Sequence, residues 1–152
     1  MGPHERHCPG APGHPPAGRP ACVQNAFSLL ERGDKESVIP TCPDRGIAYS
    51  PLGGGWLTGK CRRGHPPPLG SRMALRPQPY LHLNHKRAYD LSEELERRAT
   101  ARGTSMAGFG RAWVLAHPAV SSTVVGPRLP DRSQAVVEAG ALTSVAAELA
   151  PR

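Results

Sequence analysis

Residues 45–60 read Arg-Gly-Ile-Ala-Tyr-Ser-Pro-Leu-Gly-Gly-Gly-Trp-Leu-Thr-Gly-Lys, and this stretch constrains the fold more tightly than any other in the chain. Ile47, Ala48 and Tyr49 form a short apolar run suited to a buried parallel strand. Ser50-Pro51 ends it, because proline has no N–H to donate to a ladder. Three glycines follow. With no Cβ, Gly53 to Gly55 tolerate positive φ and can turn backbone N–H groups toward an anion, with Lys60 close enough in sequence to add charge. Taken alone, such a run is more commonly a flexible surface turn, and it matches neither the Walker phosphate loop nor the Gly-x-Gly-x-x-Gly fingerprint.

The rest of the chain limits what can surround this stretch. Of 152 residues, 38% are hydrophobic and only 5% aromatic, while Gly 17 and Pro 18 restrict regular structure, so one modest core is expected. The net charge of +7 raises nucleic acid or an anionic surface as a partner. The cations are mostly arginines scattered through loops, without the aromatic interleaving of a single-strand binder. A solvated surface is the plainer meaning, and nucleic-acid binding is not expected. Cys8, Cys22, Cys42 and Cys61 show no Cys-x-x-Cys spacing and no secretory leader precedes them, which fits free thiols in a cytoplasmic protein. His4, His7 and Cys8 lie close together, but nothing in their Pro/Gly-rich surroundings fixes a metal geometry, so no metal is expected. No apolar run approaches the roughly 18 residues of a membrane span, so no membrane is expected as a partner.

Along the chain, residues 1–20 hold Pro, Gly and His with almost no large apolar side chain and read as a disordered tail, leaving residues 21–152 as the domain. Residues 21–24 suit a short strand ending on the polar pair Gln24-Asn25. Asp34 can cap a helix that Pro40 and Pro43 cut short. Residues 61–85 carry prolines, arginines and histidines without periodicity and predict irregular structure. Residues 86–102 predict the best helix, with Ala88, Leu91, Leu95 and Ala99 on one face and Gly103 ending it. Thr104 or Ser105 caps a second helix through Ala116, whose Met106, Phe109 and Trp113 form a core stripe. Residues 121–125 predict a strand running into Gly126-Pro127-Arg128, and Pro130 starts another helix. A strand, a glycine and a helix N-terminus in succession favour an anion.

Three of these segments, in order, resemble the aldo-keto reductases, which reduce carbonyls with NADPH on a (β/α)8 barrel. Ser50-Pro51-Leu52-x-x-Gly55-x-Leu57-Thr58-Gly59-Lys60 resembles the loop after the seventh strand of that family. Val23-Gln24-Asn25-Ala26-Phe27-Ser28-Leu29-Leu30-Glu31-Arg32 resembles the sixth-strand exit. Ala112-Trp113-Val114-Leu115-Ala116-His117-Pro118-Ala119-Val120 with Val124-Val125-Gly126-Pro127-Arg128 resembles the last crossover helix and eighth strand. The resemblance spans about residues 21–142 and implies an α/β fold covering roughly the last three strand–helix units of a TIM barrel. A whole barrel takes about 250 residues, so a truncated form carrying the cofactor-binding half is expected.

The resemblance also implies roles. Gln24 hydrogen-bonds the nicotinamide carboxamide and Tyr49 stacks on its ring. Ser50, Pro51, Leu52, Gly53, Gly55 and Lys60, in the loop after the seventh strand, belong to the cofactor site, while Gly126 and Arg128 stand at the turn that holds the 2′-phosphate of NADP(H). Arg132 and Val136 stand where relatives carry Gln and Asn. The family's Asp, Tyr, Lys and His, which carry proton transfer, are matched nowhere in this chain, so no catalytic residue is assigned. The expectation is a nicotinamide-nucleotide binder that is inactive alone and acts on a small carbonyl substrate only when the missing half is supplied. The alternative is a non-enzymatic remnant that binds NADP(H) weakly or packs on another chain.

Overall fold

The computed structural model describes residues 22–32, 46–83, 85–127 and 130–142. Three short strands, β1 (Val23–Ala26), β2 (Gly46–Tyr49) and β3 (Val120–Thr123), form one parallel sheet in the order β1-β2-β3. Chain direction is shared, so all three strands empty at the same edge. Helices α1 (Arg72–Leu75), α2 (His85–Ala101) and α3 (Met106–Leu115) lie between β2 and β3, and α4 (Asp131–Ala141) follows β3. The chain is therefore α/β with parallel strands joined by crossovers.

Strand register decides which residues see the helices. Val23 pairs with Gly46, Gln24 with Ile47, Asn25 with Ala48 and Ala26 with Tyr49. Val23, Asn25, Gly46 and Ala48 are buried on the helix side, whereas Gln24, Ala26, Ile47 and Tyr49 are exposed or half-buried on the other. On the helix side, Phe27, Leu29, Leu57, Leu95, Phe109, Trp113 and Val114 form the main core. Phe27 stacks on Trp113 with centroids 5.4 Å apart and meets His117 edge-on at 5.2 Å. The stripe of Met106, Phe109 and Trp113 is core, as its spacing predicts.

Both long helices form for legible reasons. Helix α2 buries Ala88, Leu95 and Ala99 at helical spacing, and its buried Ser92 donates from Oγ to the Trp56 carbonyl at 3.3 Å. Ser105 caps α3 by accepting from the Gly108 N–H at 3.0 Å, and the helix stops at Leu115. The strands differ from the sequence expectation by register. The first occupies Val23–Ala26 rather than 21–24, and the last Val120–Thr123 rather than 121–125. A bulge interrupts the latter opposite Gly46 and Ile47: Val120 faces Gly46 but Ser122 faces Ile47, so Ser121 is the extra residue, and its Oγ donates to the Gly46 carbonyl at 3.0 Å.

Residues 61–85 are more ordered than their composition predicts. Ser71 caps α1 from its side chain and a 3-10 turn spans Gln78–Tyr80. Met73, Tyr80 and Leu83 enter a second core with Trp56, Cys61 and Ala88. Tertiary burial at three anchor positions, without periodicity, is what orders this segment. The tail over residues 1–20 and the shortened helix expected after Asp34 fall outside the described residues.

Candidate functional site

The shared C-terminal edge of the sheet gathers most of the candidate residues. Gln24 and Tyr49 lie on the open face, diagonal to one another across the parallel β1–β2 pair. Asn25, the neighbour of Gln24, turns to the helix side instead and is 5% exposed. The polar pair of the sequence is thus divided between two faces, and among the described residues Asn25 Oδ1 has no hydrogen-bond partner.

Directly after Tyr49 the backbone reverses. Ser50 adopts φ 53°, an uncommon value for a residue with a Cβ, and its carbonyl accepts from the Gly53 N–H at 2.9 Å. Gly53, Gly54 and Gly55 all have positive φ and wind, with Trp56 to Thr58, into a kinked 3-10 segment (Gly53–Thr58). The Leu52 carbonyl accepts from both the Gly55 N–H at 3.0 Å and the Leu57 N–H at 3.2 Å. Two of the N–H groups that the glycine run was expected to offer an anion, those of Gly53 and Gly55, thus close the turn itself. Tight winding consumes them.

What the glycines provide instead is close approach. A Cβ on Gly54 would lie 2.4 Å from the Tyr80 ring, and one on Gly55 would lie 2.5 Å from both Cε and Nζ of Lys60. The Lys60 ammonium therefore folds back onto bare backbone, which places a positive charge over the turn. Pro51 is buried, and Leu52 packs on the main core, reaching within 3.3 Å of where a Gly110 Cβ would be. These two brace the turn from behind. Beside Lys60, burial pushes the Cys61 thiol up, against the opposing pull of the lysine charge, so the thiol stays protonated at neutral pH. Gly126 follows β3 at the same edge and is exposed, with open space around it. Arg128 lies outside the described residues.

Comparison with known proteins bears on what this edge is for. Residues 16–150 match the model of the aldo/keto reductase family. The chain belongs to that family. A similar protein is the "uncharacterized oxidoreductase YrpG" of Bacillus subtilis (strain 168), 33% identical over 121 residues, which are 76% of this chain and 34% of that protein. The chain thus spans about a third of the length of this relative. Aldo/keto reductases are oxidoreductases that use nicotinamide cofactors on a (β/α)8 barrel, and a small parallel sheet with crossover helices accords with that architecture. Among the described residues no helix is long and apolar enough to cross a membrane.

Sequence reasoning missed one residue that shapes the turn and one buried cation in the helix behind the sheet. Tyr80 covers Gly54 from far along the chain, in a segment with no periodic signal. Arg111, buried in the middle of α3 at 8% exposure, leaves Nε and Nη1 without partners among the described residues, and burial pushes its guanidinium down from its ordinary range. An arginine among apolar helix positions was the only available sign.

Proposed function

We propose that this chain provides the nucleotide-holding part of an NADPH-dependent aldo/keto reductase. The observation that carries the reading is the juxtaposition at one sheet edge of Gln24 and Tyr49 on the open face with the turn that seats the Lys60 ammonium on Gly55. A cationic group over backbone that a Cβ would obstruct fits a phosphate. The Gln24 amide offers a donor and an acceptor in one plane, as a carboxamide requires, and the Tyr49 ring offers a flat apolar surface. The strand exit at Gly126-Pro127 leads to Arg128, whose guanidinium is suited to grip a phosphate through paired bonds. When bound, the dihydronicotinamide supplies hydride to a carbonyl. The residues of this chain bind and orient, while the proton-donating set comes from a part of the barrel that these residues do not match.

Calorimetric titration with NADP and NAD tests the reading. Hydrogen bonds to charged groups contribute about 1.5–3 kcal/mol, so NADP should bind about tenfold to a hundredfold tighter. Arg128→Ala should erase that preference, and Lys60→Ala should weaken both nucleotides alike because its charge lies at the turn rather than at the 2′-position. Equal affinity of the unmodified chain for the two nucleotides removes the 2′-phosphate site.

A further inference from the structure

Residues 45–89 contain eight Lys or Arg and no Asp or Glu. Charge scattered in this way says little by itself, but the fold fastens part of the stretch and decides what it displays. At one end Arg62 forms a two-pronged pair with Glu96 at 2.6 and 2.7 Å, and Arg63 bridges Asp90 and Glu93 at 2.6 and 3.1 Å while lying 5.2 Å from the Tyr89 ring centroid. Further on, Met73, Tyr80 and Leu83 anchor it in the second core. Between these anchors stand Leu69 at 100% exposure, Leu75 at 70% and Leu81 at 62%. Three large apolar side chains held in water on a fastened segment demand a reason.

Helix α1 gives the local geometry. Met73 is its buried residue, while Arg72, Leu75 and Arg76 are exposed and stand three and four positions apart, which sets them on one side of the turn. Leu75 is thus flanked by two guanidinium groups. Unlike Arg62 and Arg63, neither Arg72 nor Arg76 is in an ion pair among the described residues. Exposed leucines interleaved with arginines unpaired among the described residues form the pattern of a surface that lies on an anionic bilayer, a contact that needs no membrane span and so departs from the expectation of no membrane partner, which rested on span length alone.

We infer that residues 62–83 form a docking surface for an anionic lipid membrane, with Leu69, Leu75 and Leu81 entering the headgroup boundary and Arg72 and Arg76 meeting lipid phosphates. Charge selects the partner: Glu31, Asp90, Glu93 and Glu96 are paired with His82, Arg63 and Arg62, which leaves Arg72 and Arg76 beside Leu75 as the charges this surface offers an anionic partner, and the leucines give a purely electrostatic polyanion binder no advantage. The inference is independent of nucleotide binding.

Flotation of the full chain on mixed phosphatidylglycerol–phosphatidylcholine vesicles, against pure phosphatidylcholine, tests it, because aggregates do not float. Binding is expected on the anionic vesicles only and falls with added salt. Each cation at such a surface contributes about fivefold, so Arg72→Gln/Arg76→Gln should lower partitioning about twenty-five-fold. Leu75→Ser should lower it about tenfold through lost apolar burial. All three side chains are exposed, so unchanged circular dichroism is expected of the variants and is checked first. Equal flotation with neutral vesicles, no flotation, or retention of binding by Leu75→Ser would overturn the inference. So would binding to duplex DNA that matches lipid affinity and ignores the leucine change, which identifies a general polyanion binder.

Discussion

Single residues hold this sheet together in ways their types do not announce. Gly46 has no unusual φ, yet a Cβ there would sit 2.3 Å from the Ala119 carbonyl oxygen, so only glycine lets β3 approach β2. Gly46→Ala should cost about 1–3 kcal/mol by forcing the strands apart and stretching the Ser121 bond. A urea midpoint equal to that of the unmodified chain would show that the close approach carries no weight. Arg111 makes the opposite case. Each buried donor left unpaired costs about 1–3 kcal/mol, so Arg111→Leu should raise stability by about that amount, read as an increased thermal midpoint. Sequence made the core stripe of α3 legible because apolar spacing is local information. It could not expose Gly46 or Arg111, whose significance depends on atoms brought by the chain's return: Gly46 meets Ala119 more than seventy residues away.

At the scale of elements, capping and periodicity were legible and burial without periodicity was not. Ser105 and the α2 face were readable from order along the chain, whereas Met73, Tyr80 and Leu83 are anchors dispersed through prolines. The glycine turn was readable as a turn but not in its wiring, since nothing in three consecutive glycines says which N–H groups close on Leu52 and Ser50. The strap between residues 62–63 and α2 carries a pH dependence. Lys86 first, and then Arg63, hold the Asp90 carboxyl below its ordinary range. A depressed carboxyl contributes stability that is complete above its unfolded pKa, about 3.9, and is lost as pH falls through the lower folded value. Amide hydrogen exchange over residues 62–71, corrected for intrinsic rate, should therefore rise as pH falls below about 4 and remain flat between about 5 and 8. The groups are exposed, so the change should be small and salt should mimic it. Exchange that is flat through the acid range would mean the strap is held by the buried anchors alone.

At the scale of the whole molecule, the described residues form a three-stranded sheet with no further strand beside it. Among the described residues β1 and β3 each pair with β2 alone, and the face carrying Gln24, Ala26, Ile47 and Tyr49 is open. A closed barrel has neither free edges nor an open inner face, and unpaired edges are templates for other strands. In isolation the chain should therefore self-associate, with a light-scattering mass that rises with concentration over the micromolar range. Anilinonaphthalene sulfonate should report accessible apolar surface, because among the described residues the half-buried Ile47 and Ala26 have no covering layer. The same geometry bears on turnover: on the proposed reading Gln24, Tyr49 and Lys60 hold a nucleotide, and among the described residues no tyrosine–lysine pair is assigned to protonate a carbonyl oxygen. NADPH oxidation with an activated aromatic aldehyde should consequently remain at the background rate, and Tyr49→Phe should leave it there. Turnover that Tyr49→Phe abolishes would make Tyr49 the proton donor and end the reading of this tyrosine as a stacking surface. A monomeric mass with a cooperative thermal transition in dilute solution would show, separately, that three strands and their helices suffice as a folding unit.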